Sequence, residues 1–347
     1  MIVRAALASL VALACWSGPA RTPSGHHDDR IRGVALAEIH PGRPLSAYRH
    51  ALDDIRSLGA DWVLLPVFGY VDSASSPGID TDWERGYSMA TYRRRVAEVV
   101  READERDLAV ALVPYLLLRT GQEQDWRGTL APDDWPAWFR SYRAFLDGWI
   151  SLAVSARVPL LAVGAELASS EAREAEWRSL IAHVRSRYQG RLFYSCNWDH
   201  YEETTFLDAL DVVGVSGYFS PDHDVTATDA ALDAMWMEVR RAMLTWQERM
   251  DRPFFFTEVG CPSIKGAASH PWNYQAPGPA DPAEQARALA AFCRAWHDRP
   301  EPEGVFYWNW SPFRGGISDR SYSIRRKPAA DIVRGCLARP ATPAPAP

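Results

Sequence analysis

No Lys/Arg-rich block occurs in the 347 residues, and the formal charge is −6. Proteins that hold nucleic acid carry a basic stripe or cluster, so this absence argues against a nucleic-acid partner. The arginines are instead scattered among acids along expected helix faces, the pattern of solvated surface. No Gly-x-Gly-x-x-Gly follows the first expected strand, which removes the commonest sign of a dinucleotide-binding sheet. The five cysteines match no zinc or redox spacing, and no metal or organic cofactor is expected. The apolar core of the N-terminal segment is too short to cross a bilayer.

What the chain does have is a 47% hydrophobic composition and 15 tryptophans, enough apolar side chain for one large core. The first residues, "MIVRAALASLVALACWSG", read as an export signal over 1–15. Ala12 and Ala14 fit an A-x-A cleavage site. Cys15 also resembles a lipoprotein acylation site with a poor match, since Ala12 stands where leucine is usual. The expected location is secreted or periplasmic, with membrane attachment only through a lipidated Cys15. Residues 16–30 read as a flexible linker, in which His26 and His27 beside Asp28 and Asp29 need hold no metal, and 339–347 as a disordered Pro/Ala tail. Cys293 and Cys336 fall on expected helices. In an oxidising compartment they can pair, and the competing expectation is free buried thiols.

Between residues 31 and 338, eight short apolar or β-branched runs alternate with amphipathic helical patterns. The runs are 32–39, 61–68, 108–115, 159–166, 192–198, 211–218, 253–260 and 304–310. This alternation predicts a single (β/α)₈ TIM barrel of the α/β class, working as a monomer, with its site at the C-terminal strand ends. The helix opening at "DPAEQ" carries Asp281 and Glu284 in capping-box spacing. Trp138, Phe139 and Tyr142 lie at helical spacing and read as core.

Side chains alternate along a strand. Parity predicts that Leu160, Ala162, Gly164 and Glu166 share the inner face of strand 4, and Phe254, Phe256 and Glu258 that of strand 7. Ser195 and Asn197, Gly214, Ser216 and Tyr218, and Ala111, Val113 and Tyr115 are expected inward on strands 5, 6 and 3. Glu166 and Glu258 would then face one another across the mouth. A glutamate at a strand end is more often a cap or ion-pair partner, but two facing carboxylates are what glycoside hydrolysis uses.

The stretches "DWRGTLAP", "WPAWFRSYRAFL", "AVGAELAS", "YSCNWD", "VGVSGYFS", "FFFTEVGCPS", "HPWNYQ" and "GVFYWNWSP" resemble, in order, glycoside hydrolase family 113. These are retaining (β/α)₈ enzymes of clan A that include endo-β-1,4-mannanases. The resemblance implies that Glu166 is the acid/base and Glu258 the nucleophile, acting on β-1,4-mannosidic linkages of a polysaccharide or oligosaccharide. It departs from the clan at Ala165, where asparagine is common, so Asn197 is the candidate for holding the sugar 2-hydroxyl. Tyr218 is placed to donate to Glu258, and Tyr115 to line the site. Trp308 is the expected floor for the cleaved sugar, with Trp310 as its substitute if the parity of strand 8 is reversed. Trp198, Trp126 and Trp272 are stacking candidates for neighbouring sugars, since flat aromatic faces suit sugar rings. Two other readings stay open: a hydrolase of another β-glycan, such as a β-glucan or exopolysaccharide, and a carbohydrate-binding barrel without catalysis.

Overall fold

Parallel strands covered on both faces must be apolar along their whole length, and the eight runs behave this way. In the computed structural model, which describes residues 30–80, 82–83, 86–120, 126–221 and 227–338, they form one closed barrel. The strands are Ile31–Leu36 (β1), Trp62–Val71 (β2), Ala109–Leu118 (β3), Leu160–Ala165 (β4), Arg191–Cys196 (β5), Val213–Ser216 (β6), Phe254–Val259 (β7) and Gly304–Trp310 (β8). Each pairs in parallel with the next, and β8 closes onto β1. The helices are Leu45–Ser57 (α1), Met89–Asp104 (α2), Trp135–Ser155 (α3), Ala168–Glu171 (α4), Glu174–Arg185 (α5), Asp229–Met250 (α6), Pro282–Trp296 (α7) and Pro328–Leu337 (α8). The expected export segment, the linker up to residue 29 and the tail 339–347 lie outside the described residues.

Two apolar layers result. Leu64, Ala111, Val113, Phe193, Phe255 and Phe306 fill the barrel interior. Trp138, Phe139 and Tyr142 are buried in the outer layer between strands and helices, where the rings of Trp138 and Tyr142 stack at 5.1 Å. Asp281 caps α7 by accepting from the Glu284 amide at 2.9 Å. The return half of the expected capping box is absent. The Glu284 carboxylate instead accepts from the Gly266 and Ala268 amides at 2.8 and 2.9 Å, because that loop packs against α7 and its N–H groups need an acceptor.

Parity holds on β3 and β6 but fails on the two strands that carry the glutamates. On β4 the pairing with β5 shifts between Ala162 and Ala165. A side chain at Gly164 would meet Trp177 at 2.9 Å and Tyr194 at 3.0 Å, so this position faces the helices, while Ala165 faces the interior. On β7, Phe254 and Phe256 pack outward and Phe255 inward, the reverse of the expected faces. A shift in the β6–β7 register after Phe256 then turns the strand. Both Thr257, whose hydroxyl lies 2.7 Å from that of Ser195, and Glu258 consequently reach the inner side. Such bulges commonly re-aim a side chain beside an active site.

Cys293 on α7 and Cys336 on α8 are joined by a disulfide, which decides against the free-thiol expectation for this pair; Cys196 and Cys261 are free and buried. Cα atoms 5.7 Å apart suit the bridge. Closing a loop over a sequence separation of 43 restricts the unfolded chain by about 4 kcal/mol. The double substitution Cys293→Ala/Cys336→Ala is expected to lose stability of that order in urea denaturation. An unchanged midpoint would show that the thiols do not pair in solution.

Candidate active site

The first carboxylate follows β4. Glu166 is 4% exposed and lies at φ 53°, in the left-handed region. That turn, together with the bulge before it, swings its side chain into the mouth. One oxygen accepts from Arg127 Nη2 at 2.5 Å. Arg127 belongs to a short 3₁₀ turn, Arg127–Thr129, after β3. Its guanidinium also lies over the Tyr115 ring, 4.9 Å from the centroid, a cation–π geometry.

The second carboxylate ends β7. Glu258 is 3% exposed, and each of its oxygens takes a phenol hydrogen bond. Tyr218 donates at 2.5 Å, the bond expected from its place after β6, and Tyr115 donates to the other oxygen. Tyr115 is therefore a holder of the carboxylate as well as part of the wall. Arg127 links the two sides, since it grips Glu166 and stacks on the tyrosine that grips Glu258.

Burial pushes the Glu258 carboxyl up to about 7, and the neighbouring charge of Glu166 adds to this, against the opposing pull of Arg127 and the two phenol donors. The same burial and carboxylate charge hold the Tyr115 and Tyr218 phenols well above their usual range, so both stay donors.

The remaining expected site residues divide. Trp308 is half-buried, with its ring 6.1 Å from that of Tyr115, on the inner side of β8. Trp310 is instead packed in the outer core, so the substitute reading for β8 is withdrawn. Trp198 and Trp272, both half-buried, stack on each other at 5.1 Å and 23°. One face of each ring is thereby taken, and they form a joint platform. Trp126 is half-buried beside Arg127, folded over Gly128, where a side chain would meet its ring at 2.3 Å. Asn197 is buried, its Nδ2 donating to Asp199 at 2.7 Å and its Oδ1 accepting from Ser216 at 3.3 Å. These contacts use one N–H and one oxygen lone pair of an amide that has two of each.

Arg127 and Tyr322 were missed by sequence reasoning. The Tyr322 ring lies 6.0 Å from that of Tyr218, and its hydroxyl donates to the Pro271 carbonyl at 2.7 Å. Nothing local marks Tyr322. The fragment "DWRG" could have flagged an arginine in a post-strand loop, the place where barrel enzymes put site residues.

Two buried carboxylates, one held by a guanidinium and one by two phenols, can share acid, base and nucleophile roles at a single bond. A family model described as Glycoside Hydrolase Family 113 matches residues 45–324. The chain belongs to glycoside hydrolase family 113. It is therefore a glycoside hydrolase. The family 113 β-mannanase AaManA from Alicyclobacillus acidocaldarius, solved in complex with ManMIm, is similar over 89% of this chain and 97% of its own. The identity is 28% and the TM-score 0.78. A structure described as a complex of a family 113 β-1,4-mannanase shares the fold at a TM-score of 0.79 and 23% identity, covering 89% of this chain and 98% of that one. No curated protein matches the chain in sequence.

Proposed function

We propose that this family 113 enzyme is a retaining β-mannanase that cleaves β-1,4-mannosidic linkages, with Glu258 as nucleophile and Glu166 as acid/base. The observation that carries the role assignment is the pair of phenols on Glu258. Two O–H donors hold both carboxylate oxygens in fixed directions, as an attacking group requires. In the first step Glu258 forms a bond to the anomeric carbon as the glycosidic oxygen departs with a proton from Glu166. In the second, Glu166 takes a proton from water, which attacks the same carbon and frees Glu258. Each displacement inverts that carbon, so the product keeps the β configuration. Trp308 forms the floor under the reacting sugar, and the Trp198–Trp272 platform and Trp126 offer faces to its neighbours.

The similarity to a β-mannanase at 28% identity supports mannan as the substrate class. Assay against β-mannan, glucomannan, xylan and β-glucan tests it: mannan should release oligosaccharides without added metal or cofactor. Mannan left intact while another glycan is cut would overturn the sugar assignment. Export is the location we propose, supported by the signal-like residues 1–15 and by the Cys293–Cys336 bridge, since such bonds persist in oxidising compartments. Extracellular or periplasmic recovery of the protein from its native host checks it, and a cytoplasmic pool alone would contradict it.

The raised Glu258 pKa sets the acidic limb. A protonated carboxyl cannot attack, so kcat/KM should fall as pH drops below about 7. Tyr218→Phe removes a donor that favours the ionised form, so the limb should move to higher pH, with kcat lowered about tenfold. A limb that stays in place in this variant would remove Tyr218 from the control of that charge.

A further inference from the structure

A third glutamate is buried behind the barrel wall, outside the proposed chemistry. Glu171, at the end of α4, is 6% exposed. Its two oxygens accept from Tyr194 Oη at 2.7 Å and Thr204 Oγ1 at 2.8 Å. Burial raises its pKa, and these two hydroxyl bonds oppose that rise. A carboxylate held in the interior by hydroxyls is costly to keep there, so its position calls for a reason.

The reason lies one hydrogen bond further on. Tyr194 is fully buried on the outward face of β5, and its hydroxyl accepts from the Leu167 amide at 2.8 Å. That amide directly follows Glu166, whose left-handed backbone a non-glycine residue adopts only when its surroundings impose it. The Glu166 amide itself donates to the Ser195 carbonyl at 2.8 Å. Two successive amides are thus pinned by β5. A phenol has one hydrogen to give; spending it on Glu171 turns the oxygen lone pairs toward Leu167. The segment is tied on its other side as well, by Ser170 Oγ donating to the Leu167 carbonyl at 2.7 Å and by the Trp177 indole donating to the Ser170 carbonyl at 3.0 Å. α4 also packs against the turn that carries Arg127, the partner of Glu166.

We infer that Glu171 and Tyr194 are positioning residues for the acid/base: the Glu171 carboxylate orients the Tyr194 hydroxyl, which locks the left-handed turn that aims Glu166 at the glycosidic oxygen. The inference rests on the acid/base role proposed for Glu166. It predicts a defect confined to steps in which Glu166 moves a proton.

The test compares an unactivated β-1,4-mannooligosaccharide with 2,4-dinitrophenyl β-mannoside, whose leaving group needs no proton. For Tyr194→Phe, kcat/KM on the oligosaccharide should fall about tenfold, mostly in kcat. On the dinitrophenyl substrate kcat/KM should stay within about twofold, while kcat and KM fall together because deglycosylation still needs Glu166 as base. Glu171→Gln keeps an acceptor for the Tyr194 hydroxyl and should retain most of the oligosaccharide activity. Glu171→Met should behave as Tyr194→Phe does. If Glu171→Met fails to fold, Tyr194→Phe and Glu171→Gln still decide the matter. Equal losses on both substrates, no loss on either, or a Glu171→Gln variant inactive on the oligosaccharide would overturn the inference while leaving the mannanase reading intact. A wild-type enzyme inactive on both substrates would overturn that reading and this inference with it.

Discussion

Glu258→Ala is expected to lose about a millionfold in kcat, the scale seen when a covalent nucleophile is removed from a group that acts as a unit. The loss should be independent of the leaving group, because a better leaving group does not replace the missing nucleophile. Glu166 is held on the other side by Arg127, at 2.5 Å. No glycosyl-enzyme should accumulate, even from a dinitrophenyl glycoside. Added azide can enter the space left by the side chain, and any product it forms should be the α-glycosyl azide, from a single inversion. Kinetics on both substrate types, with mass spectrometry of the intact protein, check this. A trapped covalent adduct in Glu258→Ala would place the nucleophile elsewhere.

Glu166→Ala should divide substrates by leaving group. On mannan or its oligosaccharides kcat/KM should drop about 10³- to 10⁴-fold, since general acid assistance is lost along with its positioning. On the dinitrophenyl glycoside the first step should survive, because Glu258 and its two phenol donors are untouched. The intermediate should then accumulate, its hydrolysis slowed by loss of the base. Azide should restore turnover and give the β-glycosyl azide. The two variants must therefore yield opposite anomers. An α-product from Glu166→Ala, or near-normal activity of this variant on oligosaccharide, would remove the acid/base assignment.

The barrel was legible because each strand had to be apolar throughout and each helix amphipathic, two patterns that differ in period and repeat eight times. The glutamates were legible from their place at the strand ends. The parity that placed them inward was wrong in detail, although the conclusion stood. Gly164 faces the helices, Ala165 and Phe255 face the interior, and register shifts turn Glu166 and Glu258 inward. A bulge adds one residue to a strand without any change in composition, so alternation counted along the chain cannot register it. Trp308 and Trp310 show the same limit, since residues two apart should share a face, yet a register shift between β1 and β8 accompanies Trp308 inward and Trp310 in the outer core.

Arg127 was hidden for another reason. Its partner lies 39 residues away and its ring contact with Tyr115 crosses a turn, so only the closed barrel brings them together. The Glu284 carboxylate follows the same rule. Its spacing to Asp281 is that of a capping box, but the amides of residues 266 and 268 compete for it once the loop is folded against α7. The choice between a Cys293–Cys336 bridge and free thiols required the α7–α8 packing to be seen.

The central claim is double displacement by Glu258 and Glu166, and the configuration of the first-formed product tests it most directly. Proton NMR of the anomeric signal during rapid hydrolysis of a mannooligosaccharide reads that configuration before mutarotation mixes the anomers. The account predicts that the β-anomer appears first and the α-anomer only later, at the mutarotation rate. An α-anomer formed first would mean a single inversion by activated water, and would contradict the covalent role given to Glu258.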